Sequence, residues 1–249
     1  MWNLKNLGVL AAAGLLWMTF VPVVFGSPEA KPASAPSPDK AVAVHEETSV
    51  TAIEDLMREH GVLDRVLLIY EELLKRLEAD EPFPAEALRE ATDIIRGFIQ
   101  DYHEKLEEKY VFVKFRYAQA FEELVETLRQ QHERGRLLVK DIISCEGLRS
   151  PDEKRKLAAS MRAFIRMYRP HKAREDTVLF PTFRTLLYFS EYDMLGDIFE
   201  QEEARRFGGG GFEKIVSRVE HIEKMLGIYD LSSFTPIPAT ESQGKGEGV

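Results

Sequence analysis

A single cysteine in 249 residues leaves no internal disulfide to build on, so Cys145 reads as a buried thiol and does not report the redox compartment. Positive charge is in short supply: 33 Lys and Arg stand against 42 Asp and Glu, for a net charge of -9. No basic stripe interrupts that balance, which excludes a nucleic-acid partner held through its phosphates. Also missing are runs of alternating apolar and polar residues bounded by hairpin turns, so no strands are expected. Gly208 to Gly211 lack the Gly-Lys-Ser/Thr ending of a phosphate loop and read as a link between two helices. Histidine is scarce, six in all, which gives weight to where each one falls.

What is present begins with an apolar N-terminus. Lys5 precedes an uncharged run from Leu7 to Gly26, long enough to span a membrane, with small residues at its end that would also suit cleavage. Residues 1–26 are therefore expected to be a signal peptide or a membrane anchor, with the rest of the chain exported to an extracytoplasmic or periplasmic location. Membrane association is expected through this segment only. Residues 27–50, rich in Pro, Ala and Ser, read as an extended linker, and residues 236–249 as a disordered tail.

Between them, 44% hydrophobic composition supplies enough apolar surface for a substantial core. Thr51 with Glu54 makes a capping box that opens a helix through Leu56, Leu63, Leu67, Tyr70 and Leu74 to about Ala79. A second helix runs from about Ala85 to Tyr117, and a third carries Phe121, Leu124, Leu128, Leu138 and Ile142 to about Cys145. A fourth starts at Pro151 and continues to about residue 189, with a kink or local break expected at Pro170. Shorter helices follow over about 191–207 and 212–226. Short loops between four long helices predict an all-α, up-down-up-down antiparallel four-helix bundle over 51–189, extended by the two C-terminal helices to about 235.

Chemistry is concentrated in a repeat. His103-x-x-x-Glu107-x-x-x-Val111-Phe112-x-x-Phe115-Arg116 recurs 68 residues later as His171-x-x-x-Glu175-x-x-x-Leu179-Phe180-x-x-Phe183-Arg184. Residues four apart on a helix share a face, so each copy offers an imidazole and a carboxylate to one point, as a metal edge requires. His60 and His132 lie in comparable helical contexts upstream of the two copies, completing a set of four His and two Glu. Phe112, Phe115, Phe180 and Phe183 need be no more than core anchors. His45 falls in the linker and His221 lacks a carboxylate four residues on, so neither joins the set. Arg205 and Arg206 suit a helix C-terminus, and Glu71, Glu72, Glu202 and Glu203 read as exposed charge.

On His60, His103-x-x-x-Glu107, Gln131-His132-Glu133-Arg134-Gly135-Arg136 and His171-x-x-x-Glu175-Asp176 running into Val178-Leu179-Phe180-Pro181, the chain resembles the hemerythrin family in its bacterial HHE cation-binding branch, over about residues 51–230. The resemblance implies a cofactor of two iron ions, a non-haem di-iron centre with an oxo or hydroxo bridge. His60 and His103 would bind one iron, His132 and His171 the other, and Glu107 and Glu175 would bridge them. Such donors suit zinc or manganese too, so iron comes from the family and not from the spacing. The implied small ligand is dioxygen or nitric oxide.

Two departures bear on function. Oxygen-carrying hemerythrins place a second His four residues after the third-helix His, where this chain has Arg136, leaving an open position that water, Glu104 or Glu133 could fill. A buried Arg136 calls for a carboxylate partner; on another reading it extends to solvent. The second departure is at the bridge, where those carriers use an Asp five residues after His171. Asp176 is available, but Glu175 lies closer to the histidine's face. Three functions follow as expectations: an exported protein binding a diatomic for carriage, storage or sensing, a di-iron oxidase or peroxide-handling enzyme, or an iron-sensing or structural metal protein.

Overall fold

The computed structural model describes residues 50–147 and 150–236, which are all-helical with no strand. The expected leader, nearly all of the linker and nearly all of the tail lie outside the described residues, Val50 and Pro236 being their edges. Among the described residues no helix is long and apolar enough to cross a membrane.

Six long helices organise the described residues: α1 (Ala52–Glu78), α2 (unbroken from Ala85 to Ala118), α3 (Glu122–Ser144), α4 (unbroken from Pro151 to Thr185), α5 (Phe189–Phe207) and α6 (Gly211–Leu226). Their starts follow the local chemistry. Thr51 accepts the Glu54 N–H at 3.3 Å and Ser150 accepts the Glu153 N–H at 3.2 Å, so each side chain satisfies a backbone donor that the first turn leaves free.

Each of α1 to α4 packs against two of the others, α1 on α2 and α4, α3 on α2 and α4. One continuous core lies between them, with Leu56, Leu63, Leu67, Phe98, Phe115, Leu157, Phe164 and Phe183 almost wholly buried. At about 1.5–3 kcal/mol for each such side chain, this apolar packing is the main source of stability. The C-terminal pair covers the α1/α2 side. Phe199, Val219 and Ile222 are buried there, and Arg65 holds Glu223 through paired contacts of 2.9 and 2.5 Å.

The second and fourth helices each widen into π-helical turns, at Ile95–His103 and Glu107–Val111 in α2 and at Glu175–Leu179 in α4. Two of these turns begin at the Glu of the repeated motif, a placement typical of π-turns at functional positions. The break expected at Pro170 is not found. The helix continues through it to Arg174, and the irregular turn comes later, at Glu175. Pro170 is exposed, so its ring meets solvent and the missing N–H is tolerated inside a helix held by its buried face.

That tolerance has a cost. Pro170→Ala restores a backbone donor and should stabilise the protein by about 1–3 kcal/mol, raising the thermal midpoint by several degrees. Circular-dichroism melting of the two proteins measures it; an unchanged or lower midpoint would mean the helix needs the proline.

Candidate metal centre

His60 on α1, His103 and Glu107 on α2, His132 on α3, and His171 and Glu175 on α4 meet between the four helices, all 3% exposed or less. Glu107 Oε2 lies 3.6 Å from His103 Nε2 and 3.4 Å from His132 Nε2. Glu175 Oε2 lies 3.1 Å from His171 Nε2 and 3.4 Å from His60 Nε2. Each carboxylate thus touches the imidazole of its own motif and one from a neighbouring helix. Atoms of Glu107, His132, His171 and Glu175 converge within a metal's reach, as do those of His60, His103 and Glu107.

Every outer imidazole nitrogen has an oxygen partner. His60 Nδ1 is 2.7 Å from Asp176, His103 Nδ1 is 2.6 Å from Glu59, His132 Nδ1 is 3.2 Å from Glu108, and His171 Nδ1 is 2.8 Å from the Gln131 side-chain oxygen. Such acceptors fix the proton on Nδ1 and turn the Nε2 lone pair inward, the arrangement that prepares histidine for a metal. Phe180 stacks on His60 at 5.5 Å between centroids and Phe112 on His132 at 5.4 Å, so these repeated phenylalanines wall the imidazoles as well as filling the core.

The residues present fit a metal. Both carboxylate oxygens of Glu107 and both of Glu175 are buried without any hydrogen-bond partner, and the Nε2 atoms of His132 and His171 face each other at 3.2 Å. Inward lone pairs and unpartnered carboxylates repel one another, and a cation among them removes the conflict. Without one, protons must serve. Burial disfavours the charged form of His60, but Asp176 and Glu175 outweigh it and hold that imidazole up at about 9. His132 is likewise raised, against burial, by Glu104 and Glu107. Burial and the neighbouring Glu175 push the Glu107 carboxyl up.

Around the six, the sequence-based candidates divide. Asp176 supports His60, while Glu175 takes the inward position. Arg136 has carboxylate partners, reaching Glu104 at 2.7 Å and Glu108 at 2.6 Å. The other oxygen of Glu104 accepts the Tyr168 hydroxyl at 2.6 Å, so Glu104 is already engaged on both oxygens. Glu133 does not join the site: it sits on the outward face of α3 and pairs with Arg129. Glu203 also departs from expectation, being half-buried beside Asp55 and Glu59.

Sequence reasoning missed Glu59, Glu108, Gln131 and Tyr168. Glu59 left a signal, because it stands on the inward stripe of α1 with Leu56 and Leu63. Gly135 marks Tyr168: a Cβ there would collide with the tyrosine hydroxyl. On the outer side of Arg136 and Glu108, a solvent-facing pocket of about 650 Å³ is lined by Phe112, Arg116, Val125 and Arg129 as well.

Compared with known families, residues 51–183 match the hemerythrin HHE cation binding domain. Uncharacterised proteins of Mycobacterium tuberculosis strain H37Rv and of Mycobacterium bovis are each 48% identical to the chain over 209 residues, covering 82% of this chain and 82% of theirs. No solved structure matches.

Two outcomes follow from this geometry. His60 is charged at pH 7 in the metal-free protein, and its charge stabilises that state fully below the ordinary value of 6.5 and is lost as the pH rises through about 9. A protonated Nε2 cannot ligate, so uptake of a divalent metal at pH 7 should release protons and weaken as the pH falls, as calorimetry in buffers of different ionisation enthalpy will reveal. Heat of binding that is identical across buffers would contradict it. Gly135→Ala should displace Tyr168 and lower stability by about 1–3 kcal/mol, read by denaturant unfolding; a neutral result would show the tyrosine free to move.

Proposed function

The chain belongs to the hemerythrin HHE cation-binding family, and from that premise we propose that it is an exported non-haem di-iron protein that binds dioxygen or a related diatomic for carriage, storage or sensing. The four long helices form the antiparallel up-down-up-down bundle of that family. His60 and His103 would hold one iron, His132 and His171 the other, and Glu107 and Glu175, each in reach of two of these imidazoles, would supply the shared carboxylates. The observation that carries this is the set of four buried Glu107 and Glu175 oxygens without hydrogen-bond donors, facing imidazoles whose outer nitrogens are already committed. Iron, when bound, supplies reversible affinity for a diatomic ligand.

The chain's own residues do the rest. Asp176, Glu59, Glu108 and Gln131 fix the imidazoles, so little reorganisation accompanies binding. Phe112 and Phe180 keep water from two of them. Export rests on the apolar run from Leu7 to Gly26, which lies outside the described residues.

One feature favours a second reading, an oxidase or peroxide-handling enzyme. The slot where oxygen carriers have a further imidazole holds Arg136, whose outer side lines the solvent-facing pocket. A charged, hydrated approach of this kind suits a polar oxidant better than a sealed gas site does.

Anaerobic loading with ferrous iron, followed by metal counting and optical spectra before and after oxygen, separates the two readings. We expect the native chain to take up two irons more than Glu107→Gln/Glu175→Gln does, and to show a ligand-to-metal band that reverses on degassing. Sustained consumption of peroxide would move the assignment to the enzyme, and a folded protein that takes up no iron would remove both.

A further inference from the structure

A second group of acidic side chains lies on the outer side of His103. Asp55 and Glu59, four residues apart on α1, and Glu203 on α5 each bring a carboxylate oxygen within 4.8 Å of the others. Asp55 is 6% exposed, Glu59 is 0% exposed and Glu203 is half-buried. Three acids gathered in so little space repel one another, and the cation nearest to hand is poorly placed to relieve them. Arg58 comes no closer than 3.8 Å to Asp55, is shared with Glu213 at 3.9 Å, and lies over the Phe212 ring at 4.1 Å.

The packing drives Glu203 inward despite this. Its Oε1 accepts the Phe212 N–H at 3.1 Å, and a Cβ on Gly211 would come within 2.9 Å of the same oxygen, so the start of α6 is shaped around the carboxylate. Glu59 supplies an independent sign. Its Oε2 is taken by His103 Nδ1 at 2.6 Å, while Oε1 is buried and makes no hydrogen bond of ordinary length, although the Tyr102 hydroxyl lies against the same carboxyl. A bound cation would give that oxygen the partner it lacks. Burial, with Glu203 adding to it, also pushes the Asp55 carboxyl up to about 6, despite the partly offsetting charge of Arg58.

We propose that Asp55, Glu59 and Glu203 form a second cation site, for a hard divalent ion such as ferrous iron, manganese or magnesium. All three donors are carboxylate oxygens, which suit hard cations and give no preference for zinc or copper. The site needs α5, which lies beyond the stretch 51–183 matched by the family domain, so it is a property of this chain's C-terminal extension. It stands on α1 and α5 and does not require the His/Glu centre to be loaded. Glu59 nevertheless joins the two, because a cation on its carboxylate adds positive charge beside the imidazole whose other nitrogen faces Glu107.

Manganese is the probe, counted by electron paramagnetic resonance on the chelator-stripped full chain in equilibrium dialysis. Glu107→Gln/Glu175→Gln should lose binding at the His/Glu centre yet keep one manganese per chain. Adding Asp55→Asn and Glu203→Gln should weaken that remaining ion by about tenfold or more. Helical circular dichroism verifies folding, and if the combined variant unfolds, Glu203→Gln alone, at a half-buried position, should reduce the count in the otherwise native chain by one. Manganese uptake that depends on Glu107 and Glu175 only would overturn this site and leave the di-iron reading standing. Uptake that depends on Asp55 and Glu203 only would do the reverse.

Discussion

Two carboxylates with no hydrogen-bond donors, Glu107 and Glu175, are the constraint around which the interior is arranged. A buried negative charge is tolerated only with a counter-charge or a proton, and here four imidazoles stand in reach while Arg136 is turned away toward Glu104 and Glu108. The demand spreads outward. Imidazoles that are to present lone pairs need acceptors behind them, so Glu59, Glu108, Gln131 and Asp176 are drawn into or near the core. One of them, Glu59, also belongs to the acidic cluster with Asp55 and Glu203, and burial together with Asp55 pushes its carboxyl well up.

The repeat explains how so many groups are placed at once. The residue after each inward Glu, Glu108 or Asp176, supports the histidine of another helix, His132 or His60. The residue before each of those histidines, Gln131 or Glu59, supports the histidine of the motif, His171 or His103. Four outer partners therefore come from two positions used twice. Four residues beyond His132 and His60 the correspondence persists with its signs exchanged: Arg136 pairs with Glu104, and Asp64 pairs with Lys172 at 2.6 Å. An ion pair occupies the same place in both halves, and the half with Arg136 opens onto a pocket.

This regularity shows why part of the site was legible in the sequence. The His and Glu of the motif announce themselves by helical spacing, and the helices by caps and apolar period. At Pro170 the helix runs on unbroken because the rule for proline concerns an isolated helix, whereas α4 is held by Leu157, Met161, Phe164 and Tyr168 along its buried face. Glu133 is a candidate for the open position in the sequence, yet neighbours along a helix point about 100° apart, and its pair with Arg129 takes it to the surface. Glu203 was read as solvated because nothing local shows that α5 would lie against α1. Contacts between distant segments depend on tertiary packing, which spacing along one helix does not encode.

The relation between site and fold runs in one direction. The apolar core extends well beyond the six residues, from Leu88 and Ile94 to Leu157 and Phe183, and does not pass through them. In the absence of a cation, protons on His60, His132 and Glu107 neutralise part of the buried charge. A chain built this way has no need of metal to bring its helices together, unlike small domains whose folding free energy is the binding energy of the ion. Metal binding is then an exchange of cations for protons inside a framework already formed.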